Sequence, residues 1–347
     1  MSETARPLRF VIFGESIVSD WRNPMATSAR AIQRALVRLG HDVLFLERRR
    51  NEATLGLLRA RGSAPLRAFD LRFPDLQHRT YDLPNGWERS VWFAREAGTA
   101  DAIVTLPGAP PEVMEQIAGF DSRYIVRLID TDVGLLPGTF PLHRAGDDGE
   151  GLAWGPTVEI DQSPATHPRS GLVVVRYEEG DLDPIAEILR PLGPTVVDLG
   201  GGVKSGVVAE ADLPDLYRAS RVALLLGVGS SPYALARALL PLAAGCRVLV
   251  MPETFPVVGP TLDSIVVTSM DELHRQASDL LAEPGAAPAL PARFDAARQA
   301  ATIAAAVRKA VDEGRRGERF SDASAAHPVR NGRGEDQTPP DPPNKAP

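Results

Sequence analysis

Leu8–Leu46 reads LRFVIFGESIVSDWRNPMATSARAIQRALVRLGHDVLFL, and the order of patterns within it decides the fold. The run Leu8–Phe13 is apolar and rich in β-formers and is stopped by Gly14, as a buried strand should be. Met25–Leu39 then places Ala31, Ala35, Leu36 and Leu39 at helical spacing, and Gly40 ends the helix. His41–Leu46 reads as a second strand. A short right-handed crossover through such a helix lays the second strand parallel to the first. The expected class is α/β with a parallel sheet.

The same rhythm continues along the chain. Strands are expected at Ala102–Leu106 and Tyr124–Ile129, with a helix at Pro111–Ala118 between them, so the first domain reads as doubly wound and Rossmann-like. Between Glu52 and Glu96, where arginine, proline and aromatics abound, the pattern yields only a short strand and a helix around Trp87–Arg95. Pro137–Arg169 is crowded with Gly, Pro, Asp and His, broken by an alternating stretch at Thr157–Ile160, which suits a connection between domains. After it, strands at Leu172–Val175, Thr195–Val197, Val222–Leu226 and Val248–Met251 alternate with helices at Leu182–Leu189, Leu213–Ser220, Pro232–Ala244 and Asp271–Leu281. That is a second Rossmann-like domain. A last helix, about Arg293–Glu313, carries Ile303, Val307 and Val311 on one face for packing on a neighbour.

The expected domains are residues 1–165, residues 166–314 with the final helix, and a tail over 315–347. Ser321–Pro347 holds only five apolar residues, Ala323, Ala325, Ala326, Val329 and Ala346, too few to offset the entropy of ordering it. Disorder is expected there.

Composition bounds the function. At about 150 residues per domain, 347 residues predict two domains. The 44% hydrophobic and 24% charged content is that of an ordinary globular chain. With 38 basic and 45 acidic residues the net charge is -7, which argues against a general binder of the nucleic-acid backbone. A single cysteine, Cys246, excludes an internal disulfide framework and predicts a reducing, cytoplasmic compartment. The six histidines, His41, His78, His143, His167, His274 and His327, show no ligand spacing, so no metal site is expected. No export signal is evident, and no run approaches the ~20 apolar residues of a membrane-spanning helix.

The loop after the first strand, Phe13-Gly14-Glu15-Ser16-Ile17-Val18-Ser19-Asp20-Trp21-Arg22-Asn23-Pro24, is the most distinctive stretch. It lies beyond the carboxyl end of a parallel strand, where ligands meet open α/β sheets, so Glu15, Ser16, Trp21 and Asn23 are expected to face a cleft. It lacks the G-x-G-x-x-G fingerprint, which argues against a dinucleotide site in this half. With the helix Arg30–Arg38 and the segments Gly40–Val43 and Phe45–Arg48 that follow, this stretch resembles the start of the CgeB-like glycosyltransferases of the spore maturation protein B type. In the second half, Ala211–Leu224 and Leu242–Val250 resemble the segments flanking the donor-binding loop of two-domain (GT-B) glycosyltransferases. The resemblance covers roughly Leu8–Glu47 and Thr195–Glu313.

The resemblance implies two Rossmann-like domains facing a cleft. It places a nucleotide-diphospho sugar chiefly on the second domain and an acceptor on the first, through Glu15, Ser16, Trp21 and Asn23. No cofactor and no essential metal are implied; the nucleotide sugar is a co-substrate. Gly229, Ser230, Ser231 and Tyr233 form a small, hydroxyl-bearing loop before a helix, suited to a diphosphate, while Ser231 and Pro232 equally fit a plain helix cap. Arg176, Lys204, Gly201 and Gly202 complete the expected donor site, Lys204 and Arg176 supplying charge to the leaving diphosphate.

Many members of the family carry a glutamate just before the Ala-Ala-Gly segment, where this chain has Leu239, Leu240 and Pro241. That departure supports an alternative reading, a catalytically lapsed member that binds a glycan, nucleotide or partner protein. Val197-Asp198-Leu199-Gly200-Gly201-Gly202-Val203-Lys204 also resembles the nucleoside-binding turn of class I methyltransferases, with Lys204 at the expected final glycine. Asp130-Thr131-Asp132 ends a strand and offers a base toward an acceptor hydroxyl, or a strand-end turn. Read as a D-x-D metal pair it would belong to single-domain glycosyltransferases, a class at odds with two Rossmann-like halves.

Overall fold

The computed structural model describes residues 6–18, 23, 25–119, 126–130, 139–143, 152–159, 169–177, 181–199, 212–228, 235–252, 265–283 and 290–325. The first unit runs β1 (Arg9–Gly14), α1 (Met25–Arg38), β2 (Asp42–Arg48), α2 (Glu52–Arg61), α3 (Ala64–Arg72), β3 (Gln77–Tyr81), α4 (Trp87–Ala97), β4 (Ala102–Thr105), α5 (Pro111–Gly119), β5 (Val126–Asp130), β6 (Thr139–His143) and β7 (Leu152–Ala153). Its strands form one sheet in the order β3-β2-β1-β4-β5-β6-β7, every pair parallel. Phe10 of β1 lies in register with Val43 of β2 and Ala102 of β4.

Alternation along β1 explains both layers of helices. Phe10 and Ile12 point to the face covered by Ile32 and Leu36 of α1. Val11 and Phe13 point to the other face, against Phe93 of α4 and Val113 of α5. Two of the helices that the sequence pattern did not yield, α2 and α3, follow β2. Asn51 caps α2 through its side chain, accepting from Thr54 N at 2.7 Å, and Gly62 ends the helix with φ of 64°.

The second unit runs β8 (Leu172–Arg176), α6 (Asp183–Leu189), β9 (Thr195–Asp198), α7 (Leu213–Ala219), β10 (Val222–Leu226), α8 (Leu235–Ala243), β11 (Arg247–Val250), β12 (Ile265–Val267) and α9 (Leu273–Ala282). Its parallel sheet has the order β12-β11-β10-β8-β9. Val173 and Val175 pack with Tyr217 and Leu239 on one face, and Leu172 and Val174 with Leu189 and Leu273 on the other. Both halves of the chain are doubly wound, as the sequence predicts.

The last helix, α10 (Ala296–Ala325), departs from the expected partition. Ala300, Ile303, Val307 and Val311 are buried in the core that holds Phe10, Ile12, Ile32 and Leu36, so α10 belongs with the first domain, against α1. The chain therefore crosses between domains twice, and the two crossings are tied together. Val158 N donates to Phe294 O at 3.1 Å, Ala296 N to Val158 O at 3.1 Å, and Thr157 Oγ1 to Phe294 O at 2.6 Å. The α10 backbone is helical to Ala325, inside the span 315–347 expected to lack structure; residues 326–347 lie outside the described residues.

Candidate functional site

Each sheet reverses its winding once, between β1 and β4 in the first and between β8 and β10 in the second. Beyond the carboxyl ends of strands at such a reversal a crevice opens, because the two connections leave in opposite directions. The residues that follow β1, β4, β8 and β10 are accordingly the candidate site.

In the first domain the loop after β1 is held from below by buried polar groups. Glu47, the penultimate residue of β2, is 1% exposed and accepts a hydrogen bond from Ile17 N at 2.9 Å and one from the Ser16 hydroxyl. Ser16 Oγ also pairs with Thr54 Oγ1 at 2.9 Å and accepts from Val18 N at 3.2 Å. Asn23 Nδ2 donates to Ser16 O at 2.6 Å, and Asn23 Oδ1 accepts from Met25 N at 3.1 Å at the start of α1. Arg30 NH1 closes the arrangement on Ile17 O at 2.8 Å. Gly108, after β4, has φ of +85°, and a Cβ there would stand 2.5 Å from Glu15 Cβ, so only glycine lets the two loops meet.

Burial dominates the acid chemistry here. It pushes the Glu47 carboxyl up to about 7 against the two hydrogen bonds that favour its anion. Burial, and then the charge of Glu52, raise Glu15 above the ordinary carboxylate range. Ser16 and Asn23, expected on a cleft wall, are instead 0% and 6% exposed and satisfy the loop's own backbone. The correction has a simple cause: a loop that leaves a strand end must pair its freed N–H and C=O groups, and these side chains do so. Glu15 stays partly exposed, and Trp21 lies outside the described residues.

In the second domain Arg176 ends β8 and is in register with Asp198 at the end of β9. Arg176 Nε donates to Asp198 Oδ1 at 3.0 Å, and NH2 pairs with Oδ2, a bidentate ion pair with both partners buried. Arg176 was expected to meet a diphosphate with its full charge; the structure gives two of its nitrogens to Asp198. Its third, NH1, is buried without a hydrogen-bond partner among the described residues. Arg61 NH2, from α2 in the other domain, donates to Asp198 O and so joins the two domains at this edge. After β8, the Tyr177 ring lies under the Arg237 guanidinium at 4.5 Å. Arg237 NH1 donates to Val228 O at 2.7 Å, fixing the residue from which the next loop departs.

That loop contains Gly229, Ser230, Ser231 and Tyr233, and the loop after β9 contains Gly201, Gly202 and Lys204; all seven lie outside the described residues. Since β8 is flanked by β10 and β9, both loops leave from strands adjoining Arg176. Asp130 is the last residue of β5, at the carboxyl edge of the first sheet, while its side chain and Asp132 lie outside the described residues. On α8, Leu239 and Pro241 are buried, and Leu235–Ala243 contains no acid.

Among the described residues no group of His, Cys, Asp and Glu is arranged to hold a metal, and no helix is long and apolar enough to cross a membrane. Cys246 is buried, with Sγ donating to Tyr217 O at 2.9 Å; burial pushes its thiol up to about 12, so it acts as packing. Glu47, Arg61, Asp198 and Arg237 belong to this site but are not among the residues expected from the sequence. Of these, Asp198 alone had a signal, its place at the strand end before three glycines.

Neither a protein-family model nor a curated protein matches the chain in sequence. Solved structures match it in fold. A protein from Listeria monocytogenes assigned as UDP-N-acetylglucosamine 2-epimerase aligns over 89% of this chain and 98% of its own, with 12% identity and a TM-score of 0.50. The spinosyn forosaminyltransferase SpnP aligns over 91% and 99%, with 13% identity and a TM-score of 0.44. The spinosyn rhamnosyltransferase SpnG, solved with thymidine diphosphate, aligns over 90% and 100%, with 12% identity and a TM-score of 0.42. At such identity the likeness is one of architecture: two parallel α/β domains of the GT-B type.

Proposed function

We propose that the chain is a GT-B-type, CgeB-like glycosyltransferase that works as a soluble cytoplasmic protein. It holds a nucleotide-diphospho sugar chiefly with the second domain and an acceptor with the first. The observation that carries this reading is the second switch point, where one guanidinium nitrogen of Arg176 has no hydrogen-bond partner among the described residues and lies between the strand ends that lead into the Lys204 and Gly229–Tyr233 segments. Sugar transfer places growing negative charge on the departing diphosphate, and fixed cations with backbone N–H groups at a helix start stabilise it best when water is excluded. Lys204, Arg176 and the loop before α8 take that role, and Asp130 or Asp132 accepts the acceptor's proton. Glu47, Ser16 and Asn23 shape the loop that presents Glu15 and Trp21.

A second reading, a lapsed member that binds without turnover, is favoured by α8, which has Leu239, Leu240 and Pro241 where a ribose-binding carboxylate is expected. Incubation of the purified chain with a panel of nucleotide sugars, followed by release of nucleoside diphosphate, separates the two. Release with at least one donor supports the enzyme; saturable binding with no release supports the lapsed form.

A further inference from the structure

A cavity of about 470 Å³ lies between the domains, along α1 and at the C-terminal end of α8, the end opposite the proposed donor loop. It is unusually rich in arginine: Arg30, Arg34 and Arg38 line it at helical spacing from α1, with Arg72 from the last turn of α3 and Arg218 from α7 of the second domain. Four of these form two pairs, each gathered on a single carboxylate oxygen. Arg34 NH1 and Arg38 NH2 lie 2.8 and 3.2 Å from Glu159 Oε2. Arg72 and Arg218, one from each domain, both meet Asp215 Oδ1. Arg34 Nε also reaches Asp75 at 2.9 Å, and Arg30 and Arg34 stand over the Phe73 ring at 5.6 and 5.5 Å.

Among the described residues four of these arginines thus meet three carboxylates, and each pair of cations converges on a point that one oxygen occupies. A tetrahedral dianion offers several oxygens at such a point and matches the planar donors of arginine better than one carboxylate oxygen does. Ala31, Phe73, Pro214, Leu240 and Ala243 give the cavity an apolar lining for a carbon skeleton, and its volume suits a small organic ligand rather than a bare ion. We propose that this cavity is a second ligand site, separate from the donor cleft, for a small organic molecule carrying two phosphate-like groups, one at each arginine pair. Because the Arg72–Arg218 pair joins the two domains, the ligand holds them together.

The test is calorimetric titration of the full chain with fructose 1,6-bisphosphate as the probe, fructose 6-phosphate as the one-phosphate control, and the variants Arg38→Gln, Arg218→Gln and Lys204→Ala. The expected result is saturable binding of the bisphosphate that is weaker for the monophosphate, falls with added salt, and weakens about tenfold or more in either arginine variant. Lys204→Ala leaves it unchanged. Glu159→Gln, which removes a competing charge without shortening the side chain, tightens binding; a merely structural role for the arginines would not produce that gain. If Arg218→Gln fails to fold, Arg38→Gln and Glu159→Gln decide, since Arg38 is half exposed. Absence of saturable binding, equal affinity for the two sugars, or loss of binding in Lys204→Ala with the arginine variants unaffected would overturn the proposal.

Discussion

Glu47→Gln is the substitution that most sharply tests how the first-domain loop is held. Glu47 is buried at the end of β2, and burial lifts its carboxyl from 4.5 to about 7. The folded protein therefore keeps this proton over a range in which the unfolded chain has lost it. A raised carboxyl pKa contributes its full stability below the unfolded value and loses it as pH climbs through the folded one, here between about pH 4.5 and about pH 7. At 1.36 kcal/mol per unit, the shift corresponds to about 3 kcal/mol lost across that window. Glutamine reproduces the neutral carboxyl and can still accept from Ile17 N, so its stability has no such slope. Other groups titrate as well: His41 and His78 are lowered, chiefly by burial, and their contribution rises with pH. The decisive quantity is therefore the stability of the variant minus that of the wild type. Urea denaturation followed through the fluorescence of Trp154, buried in the same domain, should show this difference growing in the variant's favour by about 3 kcal/mol from about pH 4 to about pH 8. A difference that is constant with pH, or that grows in the wild type's favour, would refute the argument that Glu47 is held neutral.

Three further outcomes follow from the packing and the second-domain edge. Ile303→Ala should cost about 2–5 kcal/mol and lower the unfolding midpoint of the first domain, because Ile303 is wholly buried beside α1; calorimetric scanning that shows only the second domain weakened would contradict the placement of α10. Arg176→Met, which removes the bidentate partner of the buried Asp198 carboxylate, should destabilise by about 3 kcal/mol, and the double change with Asp198→Leu should recover most of that loss in denaturant titrations. Cys246 should resist a thiol-specific reagent in the folded protein and react fully in denaturant, as a thiol pushed up to about 12 requires.

Much of the fold is legible in the sequence because its strands are buried on both faces. Leu8–Phe13, Val222–Leu226 and Arg247–Val250 are uninterrupted apolar runs or nearly so, and their sheets are parallel. β3, by contrast, is the edge strand Gln77–Tyr81, of which only Tyr81 is fully buried, so it carries no apolar run to detect. α2 and α3 are short, arginine-bearing and weakly amphipathic; capping at Asn51 and Gly62 marks α2, and Pro65 in the first turn marks the start of α3, rather than periodicity. The apolar stripe Ile303, Val307 and Val311 announces packing but not its partner. Chain order suggests the preceding domain, whereas the tie between residues 157–158 and 294–296 returns α10 to α1. The candidate site follows the same logic. Ser16 and Asn23 sit where ligands bind, and a polar loop residue reads the same whether it serves a ligand or its own backbone. The Arg30, Arg34, Arg38 stripe is visible on α1, but the approach of Arg218 to it and to Arg72 exists only once the two domains meet.

The central claim, that the second domain holds a nucleoside diphosphate, is tested most directly by calorimetric titration of the full chain with UDP and thymidine diphosphate, alongside Lys204→Ala. Saturable binding of at least one of them is expected, weakened in Lys204→Ala by about 1.5–3 kcal/mol through loss of a charge-assisted contact. Binding of S-adenosylmethionine with no binding of either diphosphate would contradict it.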